Sequence, residues 1–93
     1  MISIVAKFIV NSGEEQKFLN LVHELGIASR AEEGCFEYIL HKDVAKPSTY
    51  CILEKWKNQA AIDVHNQTPH FTRIAPQIVQ IAQAEIDVYQ PVL

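Results

Sequence analysis

Ninety-three residues, 48% apolar and 20% charged, suit one small globular domain whose modest core gains from self-association. A net charge of −3, with eight basic residues scattered rather than clustered, excludes the concentrated positive face that nucleic acids require. The apolar stretch over residues 1 to 10, interrupted by Lys7, is too short for a signal peptide or a membrane span, so a cytoplasmic protein is expected.

Residues 2 to 10 alternate Ile2, Ile4, Ala6, Phe8 and Val10 against Ser3, Val5, Lys7 and Ile9, the period of a strand with both faces partly covered. Ser12-Gly13-Glu14-Glu15 has capping-box form and predicts a helix start. Phe18, Leu21, Val22, Leu25 and Ala28 or Ser29 follow as one apolar stripe, which Gly34 is placed to end. Residues 35 to 42 and 49 to 56 are rich in aromatic and aliphatic side chains, and the polar connection between them contains Pro47; they read as an antiparallel hairpin. A turn over residues 43 to 48 would pair Leu40 with Cys51. Cys35 then lies roughly 16 Å away at strand rise, too far for a disulfide.

Asn58 can cap a short helix reaching residue 64 or 65, and Thr68-Pro69 can open another carrying Phe71, Ile74, Ile78 and Ile81. Pro76 should kink or split that helix. Alternation over residues 85 to 92 predicts a closing strand. The order β, α, β, β, α, β is the ferredoxin-like split arrangement of the α+β class, a four-stranded antiparallel sheet with helices on one face. Val5, Ile9, Cys51 and Leu53 point to the other face, which a second copy would cover in a homodimer joined through its sheets.

Chemistry concentrates between residues 50 and 71. His65, at the end of the short helix, could exchange protons near neutral pH, or could cap the helix end through backbone carbonyls. His70, in the first turn of the next helix, is either a second proton carrier or a cap. Its spacing of five from His65 matches no helical metal pair, so no metal site is expected. Glu54 shares strand parity with Tyr50, Ile52 and Trp56; a carboxylate on that apolar face needs a partner, either His65 or a Lys or Arg from elsewhere. Trp56 reads as a packing anchor whose indole N–H seeks an acceptor. Neither a Walker loop nor a GxGxxG motif occurs among the three isolated glycines, so nucleotide and nicotinamide cofactors have no support.

Glu32-Glu-Gly-Cys-Phe-Glu-Tyr38, Leu53-Glu-Lys-Trp56, the step from Ala61 to His65, His65-Asn-Gln-Thr-Pro-His-Phe71 and the terminal Tyr89-Gln-Pro91 give the chain a family likeness. It resembles the antibiotic biosynthesis monooxygenase family, and within it the small bacterial quinol monooxygenase-like proteins. The resemblance implies a dimeric α+β barrel with a pocket between sheet and helices. It also implies oxidation of a hydroxylated, quinol-like aromatic by dioxygen without flavin, haem or metal. His65 would act as the base, with Glu54 and His70 as further candidates and Tyr50, Trp56 and Phe71 as pocket walls. The haem-degrading branch is disfavoured, because the first strand carries Ala6 and Lys7 where that branch has Asn, and no histidine follows His70 on the last helix. Two alternatives remain open: an acid-base isomerase of a phosphorylated ketone, using His23 with His65 and His70, and a non-catalytic binder of a small molecule.

Overall fold

A computed structural model describes the chain from Met1 to Leu93. Its elements are β1 (Ile2–Val10), α1 (Glu15–Arg30), β2 (Cys35–Lys42), β3 (Thr49–Trp56), α2 (Gln59–Asn66), α3 (Pro69–Ile81) and β4 (Ala82–Tyr89). The strands form one antiparallel sheet in the order β2-β3-β1-β4, the expected ferredoxin-like topology. No helix is long and apolar enough to cross a membrane.

Pleating sends alternate residues of each strand to opposite faces. On β1 the inward set Ile4, Ala6, Phe8 and Val10 is buried, and on β3 the set Tyr50, Ile52, Glu54 and Trp56. Against this face α1 lays Phe18, Val22 and Leu25, and α3 lays Ile74, Ile78 and Ile81. Trp56, Phe18 and Ile74 are fully enclosed. A Glu24–Arg73 ion pair ties the outer sides of α1 and α3 together. The opposite sheet face is bare: Ile9 and Ile39 are about half exposed (54% and 42%), and across the register Ile39 lies beside Leu53, which lies beside Val5. Around this apolar centre Lys7 faces Glu85 and Lys55 faces Glu37 on neighbouring strands.

Several local expectations are corrected. Ser12 does not cap α1. The chain instead turns through Gly13 (φ +82°), closed by the Glu14 amide donating to the Asn11 carbonyl (3.0 Å), and the Glu15 carboxylate reaches across the fold. It accepts from the Ser48 hydroxyl at 2.7 Å and from the Tyr50 hydroxyl at 2.6 Å. Gly34 does not terminate α1, which ends at Arg30. What it permits is contact: a Cβ at position 34 would lie 2.4 Å from the Ala61 Cβ, and the Gly34 carbonyl accepts from the Lys57 amide at 2.8 Å.

The hairpin register is shifted by one residue, pairing His41 with Cys51 and Leu40 with Ile52. The Asp43 side chain accepts from the Ala45 and Lys46 amides (2.9 Å each) and Ser48 adopts φ +56°. This tighter loop leaves Asp43 free to bond Thr49. Both cysteines are free. Pro76 lies within one uninterrupted α3 and does not split it. The last strand begins at Ala82, three residues earlier than the alternation indicated, and ends before Pro91.

Candidate active site

The turn joining α2 to α3 places the two histidines. Asn58 caps α2, its side chain accepting from the Ala61 amide at 2.9 Å, and α2 delivers His65 in its last turn, 3% exposed. Thr68 then works in both directions. Its hydroxyl donates to the His65 carbonyl at 2.7 Å and accepts from the Phe71 amide at 3.3 Å, with Pro69 opening α3. The turn is thereby fixed, and His70 and Phe71 come round beside His65.

The His65 ring is held on several sides. Trp56 packs at 4.4 Å between ring centroids and Phe71 at 4.9 Å, edge to face, with Tyr38 further off at 6.1 Å. Its Nδ1 lies 2.7 Å from Glu32 Oε2, and the same oxygen lies 2.8 Å from His70 Nε2. A carboxylate here only accepts, so both histidines present N–H to it, and His65 Nε2 is left as the free acceptor. Glu32 Oε1 is buried without a partner. The donor atoms of Glu32, His65 and His70 all fall within 4.8 Å of one another.

Glu54 lies beside this group. Trp56 donates its indole N–H to Glu54 Oε1 at 2.8 Å. Burial pushes the Glu54 carboxyl up to about 7, the Trp56 hydrogen bond opposing and the nearby Glu32 charge reinforcing the rise. Burial also lowers His65, overriding the opposite pull of Glu32, while His70 adds to the lowering; the ring is neutral at neutral pH. The Tyr38 hydroxyl is raised far above the ordinary phenol range, chiefly by burial and then by the Glu54 charge. The imidazole and the carboxyl are therefore both pushed toward their neutral forms by one cause, the dry surroundings.

His65, Glu54 and Phe71 open onto a cavity of about 420 Å³ between the inner sheet face, α2 and α3. Its walls are mostly apolar, among them Ala6, Ile52, Ile78 and, from β4, Ile86 and Val88; Tyr38, Gln59 and Asn66 add polar points, and no Lys or Arg lines it.

The structure thus unites His65, His70, Glu54, Trp56 and Phe71, with Trp56 behind the histidine rather than in the cavity wall. Tyr50 and His23 lie elsewhere. Tyr50 packs on Phe18 (5.2 Å) and bonds Glu15, and the exposed His23 lines a separate groove with Arg30 between α1 and β2. Neither partner suggested for Glu54 is found: it serves its own strand neighbour Trp56. His65 and His70 do not cap helices through their rings, because both bond Glu32.

Glu32 and Tyr38 bound a segment of the family likeness, but neither is given a role in the site by the sequence. Glu32 carries no local signal, since its partners stand 33 and 38 positions away and its neighbourhood reads as a helix end. Tyr38 could have been found from strand parity, as it points inward opposite Glu54.

Comparison with known proteins agrees with this architecture. "Putative monooxygenase YcnE" of Bacillus subtilis is 36% identical over 88 residues, covering 95% of this chain and 93% of that protein. A crystal structure of a conserved protein from Methanosarcina mazei superposes with a TM-score of 0.92 at 32% identity, covering 96% and 90% of the two chains. A crystal structure described as an antibiotic biosynthesis monooxygenase superposes with a TM-score of 0.93 at 28% identity over the whole of both chains. Residues 1–77 match the model of the family described as antibiotic biosynthesis monooxygenase, and the chain belongs to that family.

Proposed function

We propose that the protein is a cofactor-independent monooxygenase that oxidises a small hydroxylated, quinol-like aromatic with dioxygen. The observation that carries this reading is the orientation of His65. With Nδ1 committed to Glu32, Nε2 of a neutral ring is the nitrogen left to serve the largely apolar cavity that His65 lines. There it takes the phenolic proton of the substrate, and the resulting phenolate is far more readily oxidised by dioxygen than the phenol. Glu54, protonated in part at neutral pH, returns a proton to the oxygen that departs. For a hydroquinone the sum is one oxygen atom added to the ring, oxidised to the hydroxyquinone level, and the other released as water. The monooxygenase name of the Bacillus subtilis relative supports the same class.

A phosphorylated ketone fits less well, because no cationic side chain lines the cavity and His23, which that reading needs, lies in another groove. The bare sheet face, with Ile39, Leu53 and Val5 in one row flanked by compensating charges, supports a homodimer joined through its sheets. Light scattering at micromolar concentration should give twice the chain mass, and a monomer mass would refute the dimer. Oxygen uptake measured with a panel of hydroquinones tests the reaction. Uptake above the uncatalysed rate with at least one supports it, and none with any would remove it.

A further inference from the structure

We propose that Glu32, His65 and His70 form a binding site for a divalent first-row transition ion, zinc being the best match, and that filling this site shuts off His65 as a base. Two imidazoles and a carboxylate are a borderline-soft donor set of the kind that zinc takes, with a coordination position left open. The three donors come from separate parts of the chain, the loop after α1, the last turn of α2 and the first turn of α3, and their atoms converge within 4.8 Å. One carboxylate oxygen serves both rings while the other, Oε1, is buried with no partner. That is an incomplete arrangement for hydrogen bonding alone, because a buried carboxylate oxygen without a donor is costly, and a cation would use it.

The frame is already built. The Thr68 hydroxyl holds the backbone of His65 (2.7 Å). The loop carrying Glu32 is fixed by the Cys35 amide donating to the Glu32 carbonyl and by the Lys57 amide donating to Gly34 (3.1 and 2.8 Å). Entry does not run through the substrate cavity: Glu32 borders a different surface depression with Lys57 and Ala61, and the His70 side chain is 20% exposed. The ion would sit on the Nδ1 side of His65, away from the cavity.

The consequence for chemistry follows from the tautomer. An Nδ1 atom bound to a metal cannot hold a proton, so the proton of the neutral ring moves to Nε2. The atom facing the cavity changes from acceptor to donor, and a phenol there has no base. This inhibitory half rests on the proposed role of His65, whereas the binding half stands independently of any activity.

Cobalt(II), then zinc in competition, added to metal-stripped protein tests the site. Cobalt should show the intense visible bands of a low-coordinate nitrogen and oxygen site, and zinc should abolish them. Glu32→Gln and His70→Ala should each weaken binding by more than the roughly 100-fold that loss of an outer-shell partner costs. Circular dichroism checks that each folds; if Glu32→Gln does not, the part-exposed His70→Ala carries the comparison. A spectrum that stays that of hexaaquo cobalt, or variants that bind as wild type does, would overturn the site. In oxygen-uptake assays zinc should slow the wild type in step with occupancy and leave His70→Ala unaffected relative to its own metal-free rate. Tight zinc binding without slowing would overturn the inhibitory half alone. Absence of oxygen uptake in metal-free wild type would instead count against the oxygenase reading, leaving the binding result intact.

Discussion

Replacing Glu54 by Gln should flatten the pH dependence of stability. The Glu54 carboxyl is 7% exposed and is raised from an ordinary 4.5 to about 7 by burial, so the folded state holds this proton more tightly than the unfolded chain does. A raised folded value means that the group's contribution to stability is fully present below about pH 4.5 and is lost as pH climbs through about 7. The 2.5-unit gap corresponds to roughly 3 kcal/mol at the alkaline plateau, of which about 2.5 kcal/mol is lost between pH 5 and pH 8. Gln has nearly the same shape, keeps an acceptor for the Trp56 indole and does not ionise. Whatever fixed offset its amide adds is the same at every pH. Urea or thermal unfolding of both proteins, at one chain concentration across this range, should show the variant gaining on the wild type by that amount. In melting temperature the gain is on the order of 10 °C for a chain of this size. A difference that does not change with pH, or changes only around pH 4.5, would show that Glu54 is an ordinary ionised carboxylate in the fold and would remove it as a proton donor.

Gly34→Ala should cost roughly 1–3 kcal/mol through overpacking, because the added methyl meets Ala61 at 2.4 Å. Adding Ala61→Gly should recover part of the loss despite the about 1 kcal/mol cost of glycine in a helix, and strictly additive unfolding free energies would refute the contact. The rate of hydroquinone oxidation should rise with pH through a range below the usual imidazole one, since burial lowers His65 and only the neutral ring accepts a proton, and should fall again above about 7 as Glu54 loses the proton it donates; a profile without the rising limb would contradict the base, and one without the falling limb the acid.

Much of the fold was legible because its signals are local. The alternation of Ile4, Ala6 and Phe8, the stripe of Phe18, Val22 and Leu25, and the caps at Asn58 and Thr68 each state a structure within a few residues. The failures arose where distant parts met. Glu15 looked like a capping carboxylate but is taken by Ser48 and Tyr50 from the hairpin. Gly34 looked like a helix stop but makes room for Ala61. The hairpin slipped by one residue because Asp43 and Ser48 shape a tighter loop than spacing alone conveys.

The candidate site divides in the same way. His65, His70 and Phe71 were legible because one short turn carries them, and Glu54 and Trp56 because they share strand parity. Glu32 was not, since a partner brought in by tertiary folding leaves no trace in spacing. The family resemblance makes Tyr50 a wall, and strand parity puts it on the face of Glu54, but parity selects a face of the sheet and not a position along it. Tyr50 lies at the opposite end of β3 from His65's neighbour Trp56.

The initial rate of oxygen uptake by wild type and His65→Ala with the best hydroquinone substrate tests the central claim most directly. A positioned general base typically contributes 10²-fold or more. The variant should therefore fall by about that factor while circular dichroism shows the fold retained. Equal rates in two folded proteins would contradict the account, leaving His65 as a buried partner of Glu32 and not the base.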